Sequence, residues 1–281
     1  MIDMGFNYLI GSFLDVPADY DYKNRPDPDS NGCKKLYDDM VSLFFSDYDA
    51  INLEQQFHFK GPLWKNKIAW DKYKKLNNRN PAKRTNLKCP PFYTIKYNDY
   101  LLSTDYIGPS IFWAENAGLS QTEIVEILNV GRTIGGHIAW PRGGGSEIET
   151  INQARGGEDT FYDRIDWTLY LLKIYYEMDR NKDAVIHFLE DNYTEDEYKR
   201  CTRVLEAIEN YREWYMTFES FKSLCDRFIL KGSFVDEKYN IIWLAPMNPV
   251  LPENYREFVR NNLAAIKERN NKANLPMHQE P

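Results

Sequence analysis

From Trp167 to Phe228 apolar side chains return every three or four residues, and this spacing constrains the fold more than any other feature of the chain. Trp167, Tyr170, Leu171, Ile174, Tyr175 and Met178 make one broad stripe. Cys201, Val204, Leu205, Ile208, Tyr211, Tyr215, Phe218, Phe221, Leu224 and Phe228 make a second. Residues so spaced share one face of an α-helix, so each stripe is a buried side that needs an apolar partner. Start signals precede both: Thr160 with Asp163, and Thr194 with Glu197, read as capping boxes in which hydroxyl and carboxylate satisfy the first N–H groups of a helix. Gly232 reads as the stop. Ser120 and Glu123 give a third box, opening a helix to about Asn129 that buries Ile124, Ile127 and Leu128. Leu36, Met40, Val41 and Phe44 predict an earlier helix, and Tyr255, Phe258, Val259, Leu263 and Ile266 a last one.

Between these helices stand shorter runs of strand character. Tyr93, Ile95 and Tyr97 alternate within Phe92 to Leu102, which predicts paired strands. Thr133 to Trp140 reads as a strand ending at Pro141, with Ile148 to Ala154 returning beside it after Gly143-Gly144-Gly145 as a hairpin. Ile241 to Ala245 reads as a buried strand, and Phe6 to Val16 suits the start of a sheet. Amphipathic helices with a few hairpin-linked strands predict an α+β class: a helix-rich single domain, residues 1–270, with a small, mainly antiparallel sheet. Residues 61–91, basic, rich in Asn and bounded by prolines, read as an insertion-like loop, and 271–281 as a polar tail.

Composition narrows the function classes. Aromatics form 15% of the 281 residues, and each large ring can bury roughly 150–250 Å², so a core is readily built. No apolar run approaches the roughly 18 residues of a membrane helix. Asp3 stands where an export signal carries positive charge, and Asn7, Gly11 and Ser12 interrupt the apolar stretch, so no export is expected. Cysteines 33, 89, 201 and 225 lack the close pairing of zinc ligands and fit reduced thiols of a cytoplasmic protein. The net charge of −7 disfavours nucleic acid, where affinity comes largely from neutralising phosphates. Residues 61–100 depart from this balance, with ten Lys/Arg against two Asp/Glu, a local +8. Trp64, Trp70 and Tyr73 interleave with those cations, as in a single-strand-binding surface. A solvated loop with a few anchoring rings has the same composition and is the reading adopted here.

Two segments carry candidate chemistry. Leu119 to Ile138 has the apolar spacing of a helix-turn-helix, but its second helix would contain Gly135 and Gly136 and run into Pro141. The expectation is helix then strand. The second segment, Thr150 to Asp166, gathers Asn152, Arg155, Gly156, Gly157, Asp163, Arg164 and Asp166. Guanidinium groups beside glycines and a helix start suit an anion, so Asn152, Arg155 and Arg164 are the candidate ligand-binding residues. Asp163 and Asp166, three apart, would share a helical face and are candidates to hold a metal or move a proton, with His137 as a candidate general base. The competing expectation is structural: the aspartates cap the helix, the arginines bridge to them, and His137 is hydrogen-bonded inside the fold. There is no phosphate-binding Gly-x-x-x-x-Gly-Lys loop, no Gly-x-Ser-x-Gly and no His-Glu-x-x-His.

Thr133-Ile134-Gly135-Gly136, Pro141, the Thr-Ile-Asn-x-Ala-Arg-Gly run at 150–156 and Asp-Arg-x-Asp-x-Thr-Leu at 163–169 resemble, in that order, an uncharacterised bacterial family of unknown function. Asp-Pro-Asp-Ser at 27–30 and Leu-Ser-x-Asp at 102–105 extend the resemblance over most of the chain, with 61–91 as extra material. It implies a functional surface near 133–169 and brings no reaction or cofactor with it. Two readings follow. One is an enzyme or sensor for a phosphorylated small molecule or nucleotide. The other is a non-catalytic interaction or defence-associated accessory protein, with a protein partner.

Overall fold

The computed structural model describes residues 40–55, 92–97, 100–131, 133–141, 149–157, 159–244, 246–247 and 252–273. Within them the chain is helix-rich α+β. Strands β1 (Ile51–Gln55), β2 (Phe92–Tyr97), β3 (Tyr100–Tyr106) and β4 (His137–Pro141) form one antiparallel sheet in chain order. The register sets Ile51 opposite Lys96, Ile95 opposite Leu102 and Tyr106 opposite His137. All five residues of β4 are buried, as in a strand covered on both faces.

The helices are α1 (Ile111–Asn116), α2 (Gln121–Gly131), α3 (Ile151–Arg155), α4 (Ile165–Glu177), α5 (Lys182–Asn192), α6 (Glu195–Asn210), α7 (Arg212–Tyr215), α8 (Phe221–Arg227) and α9 (Pro252–Ala273). Residues 40–44 are helical as well. The predicted box at Ser120 is present: the Ser120 N–H donates to Glu123 Oε2 at 2.6 Å and the Glu123 N–H to Ser120 Oγ at 3.3 Å. The box at Thr194 opens α6 in the same way. The second long stripe is divided among α6, α7 and α8, with Ser220 capping the last. Gly232, at φ +70, stands where a stop was expected.

The segment after α2 follows the sequence expectation of helix then strand. Residues 134–136 form a single 3-10 turn and β4 begins at His137, so no recognition helix exists there. The two glycines are required by close approach. A Cβ on Gly136 would fall 1.7 Å from the Gly131 carbonyl oxygen, and one on Gly135 would fall 2.6 Å from that of Ile266 in α9. This contact seats α9 against the end of the sheet.

Four expectations are corrected. Thr160 and Asp163 do not form a capping box: the Thr160 N–H and hydroxyl both donate to the Gly157 carbonyl, and α4 begins later, after Arg164. Asp163 stands at φ 61, in left-handed backbone, and so cannot be the third residue of a helix capped at Thr160. Residues 150–155 are not a hairpin strand. The Thr150 Oγ1 accepts from the Gln153 N–H and Gln153 Oε1 from the Thr150 N–H, a box that makes α3 helical. Ile241 to Leu244, the described part of the expected 241–245 strand, is not a buried strand: one bridge joins Ile241 to Val235, and Ile242 is 48% exposed. Asn271 does not begin the tail, because α9 runs to Ala273. Phe6 to Val16, Leu36, the 61–91 block, Gly143–Gly145 and residues from 274 on lie outside the described residues.

The core joins the inner residues of β2 to β4 with the apolar faces of α4, α6, α8 and α9. At one end it is almost wholly aromatic: Phe45, Tyr97, Trp214, Phe218 and Phe228 meet at ring-centroid distances of 4.8–6.2 Å, mostly edge to face.

Candidate functional site

Around the end of β3, the start of β4 and the turn before α4, the structure brings together most of the residues singled out from the sequence, and buries them. Arg155, Arg164, Asp166 and His137 are each no more than 2% exposed. Asp163 is half-buried and Asn152 is exposed.

Arg155 closes α3 and turns its guanidinium inward. Its Nη1 donates to the Asp163 carbonyl at 2.5 Å and its Nη2 to the Tyr106 carbonyl at the end of β3. In return the Asp163 N–H donates to the Arg155 carbonyl at 2.9 Å. The clamp holds a strained turn, since Tyr162 and Asp163 stand at φ 52 and 61, where side chains other than glycine are disfavoured. Asp163 therefore lies outside α4 and does not share a helical face with Asp166, contrary to the sequence expectation. Its carboxylate lies against Gly156, 3.1 Å from where a Cβ on that glycine would be. It also adds to the burial that holds the Tyr255 hydroxyl well above its ordinary pKa.

Arg164 and Asp166 form a two-point ion pair, Nε to Oδ1 at 3.2 Å and Nη2 to Oδ2 at 2.5 Å. Arg164 Nη1 also donates to the Pro246 carbonyl at 2.7 Å, and the guanidinium lies 5.6 Å from the Phe258 ring centre in α9. The pair ties the start of α4 to the segment entering α9. The Nδ1 of His137 lies 2.8 Å from the Thr133 carbonyl oxygen, and the imidazole packs on Tyr106, its facing residue in the sheet.

A third arginine was not anticipated. Arg269 of α9 is 1% exposed, and burial draws its pKa down to about 9, so it stays charged at neutral pH. It donates to the carbonyls of Phe228, Gly135 and His137 at 2.6–2.8 Å. Beside it the Asn270 side chain accepts from the Gly135 N–H and donates to Thr133 Oγ1. Asn262 donates to the Ile107 carbonyl. The signal was in the sequence: Asn262, Arg269 and Asn270 interrupt the apolar side of a helix, where a buried polar group must find a partner.

Outside this cluster, Arg203 of α6 binds Glu149 with three contacts and Asp159 with two, joining both flanks of α3 to α6. Phe112, Trp113 and Tyr162 form an edge-to-face ladder at 4.6 Å steps beside Asp163. A groove of about 680 Å³ runs between α2 and α9, floored by Val259 and Leu263 and bridged by Lys267 to Glu126. Among the described residues no group of three or more His, Cys, Asp or Glu is placed to hold a metal, and no helix is long and apolar enough to cross a membrane.

No curated protein and no solved structure matches this chain. The sequence profile of a family of unknown function does match, over residues 64–273, which takes in most of the basic block and leaves the 27–30 segment outside. The chain therefore belongs to that family of unknown function (DUF6994).

Proposed function

We propose that this chain is a non-catalytic interaction protein of the cytoplasm, whose buried arginines are a scaffold and whose recognition takes place on the surface around them. One observation carries this reading: Arg155, Arg164, Asp166 and His137 are all closed off from solvent, with bonds to the fold's own carbonyls and carboxylate. A general acid or base must come within hydrogen-bond reach of a substrate, and an anion needs donors that face it. The buried thiols of Cys201 and Cys225 suit a reducing compartment. The basic block plays no part in this reading, and nucleic acid is not proposed as a partner.

A second reading, binding of a phosphorylated small molecule or nucleotide, draws on two features. Arg155 Nε has no acceptor among the described residues, and Asp163 is half-buried beside it. Thermal melts of the wild type and Arg155→Ala, with and without Mg²⁺ and a panel of nucleotides, separate the two. Removing the guanidinium leaves two carbonyls short of a donor, at about 1–3 kcal/mol each. For a chain of this size that lowers the melting temperature by roughly 4–24 °C. The interaction reading expects this drop and no ligand shift in the wild type. An unchanged melt in Arg155→Ala, together with a nucleotide that raises the wild-type midpoint, would replace it with the second reading.

A further inference from the structure

The run Ile241-Ile242-Trp243-Leu244 has the composition of an interior strand, yet the fold leaves it at the surface. Ile242 is 48% exposed, and Ile241, Trp243 and Leu244 are half-buried, with Trp243 resting on Phe258 of α9 at 5.8 Å. Among the described residues only one side of the segment is paired. The Ile242 N–H donates to the Phe234 carbonyl and the Asp236 N–H to the Asn240 carbonyl, and these two bonds flank the antiparallel bridge between Val235 and Ile241. In such a pair the two facing residues turn their own N–H and C=O away from each other. The N–H and C=O of Ile241 therefore face the outer edge, where they meet no main-chain partner among the described residues.

We propose that this edge is a self-association surface, filled by the same segment of a second copy of this chain. Outward-facing main-chain groups on a β-prone apolar run are complementary to another strand. The run is also its own complement. Two antiparallel copies related by a two-fold axis set Ile241 opposite the partner's Ile241, with each N–H donating to the other's carbonyl, and bring the exposed Ile242 side chains under cover. Charge permits the approach. The net charge of −7 opposes most encounters between copies, but near this edge Lys231 pairs with Glu237 and Lys222 with Asp226. This inference is independent of the function proposed above, since self-pairing is compatible with either reading.

The test is the mass of the full chain in solution over concentrations of about 5–500 μM, the range of a weak dimer. By sedimentation or light scattering the wild type should rise from 33.2 kDa toward twice that value. Ile242→Lys, which sets a charge on the edge, should stay monomeric with an unchanged circular dichroism spectrum and melt. Ile242→Val should dimerise like the wild type, and hydrogen exchange at the Ile241 amide should slow as concentration rises. A wild type that stays monomeric throughout overturns the proposal, as does a dimer that Ile242→Lys leaves intact. A monomer whose Ile241 amide is already protected also overturns it, because another part of the same chain then covers the edge.

Discussion

Arg155 and Asp163 are joined in both directions: the guanidinium of Arg155 donates to the Asp163 carbonyl, and the Asp163 N–H donates to the Arg155 carbonyl. This reciprocal clamp bridges the turn between α3 and α4. It keeps two consecutive non-glycine residues, Tyr162 and Asp163, in left-handed backbone. In the fold, the arginine read from the sequence as ligand-binding and the aspartate read as catalytic both hold the turn that leads into α4.

The clamp makes a prediction about residue 163. Glycine is unstrained at φ 61, so Asp163→Gly should melt at or slightly above the wild-type temperature, a gain of about 0.4–1 kcal/mol at most. Asp163→Val, branched at Cβ in the same backbone, should cost about 1–2 kcal/mol or more. Chemical denaturation of the two variants checks the order. A Val variant as stable as the Gly variant would show that the turn is not held as described.

The Arg164–Asp166 pair leads to a second expectation. Both side chains lie out of solvent, so Asp166→Ala leaves a buried guanidinium without its counter-charge and should cost roughly 3–5 kcal/mol. Replacing both partners at once, Arg164→Met with Asp166→Leu, should cost less than Asp166→Ala alone, because no unpaired charge is left behind. Denaturation midpoints of the three variants decide the matter, and additive losses would contradict it.

Asp47 supplies a pH dependence. Its hydrogen bond to Arg227, with the ion pair behind it, lowers its pKa below the ordinary carboxylate value. A carboxyl group whose folded pKa lies below the unfolded one stabilises the fold above the unfolded value, about pH 4, and loses that contribution as the pH falls through the folded value. Asp47 is largely exposed, so the whole effect is about 0–1 kcal/mol. Asp47→Asn should therefore be slightly less stable than the wild type at pH 7, with the gap closing below about pH 4. Urea titrations at the two pH values measure it, and a gap that widens at low pH would contradict the assignment.

Much of the helical layer was legible without coordinates because its signals are local. The stripe in α4, the boxes at Ser120 and Thr194 and the last helix rest on contacts between residues three or four apart, and neighbours in sequence fix these. The same rule applied to Thr150 and Gln153 would have given α3 its helix in place of a hairpin strand. Gly135, Gly136 and the approach to Pro141 argued against a recognition helix on backbone cost. The small antiparallel sheet was likewise foreseen from alternation in β2 and turn signals around it.

Burial of the candidate site was settled by tertiary structure, since it depends on partners far along the chain. Arg155 reaches a carbonyl at Tyr106, Arg164 one at Pro246, and Arg269 those of Gly135, His137 and Phe228. The sequence holds the charged groups and their local spacing. A guanidinium that could face a ligand and one that caps distant carbonyls have the same local signature, and only the packing of α9 against the 134–136 turn and the end of the sheet distinguishes them. The same holds for Ile241–Leu244: its apolar composition is that of an interior strand, but whether a β-prone run is covered depends on which elements fold over it. Here the chain supplied a partner on one side, at Val235. The sequence by itself determined much of the helical layer, part of the strand pattern and the identity of the charged residues, through short-range sterics and periodicity. The tertiary structure alone decided which of those residues meet solvent, because burial is a property of the packed whole.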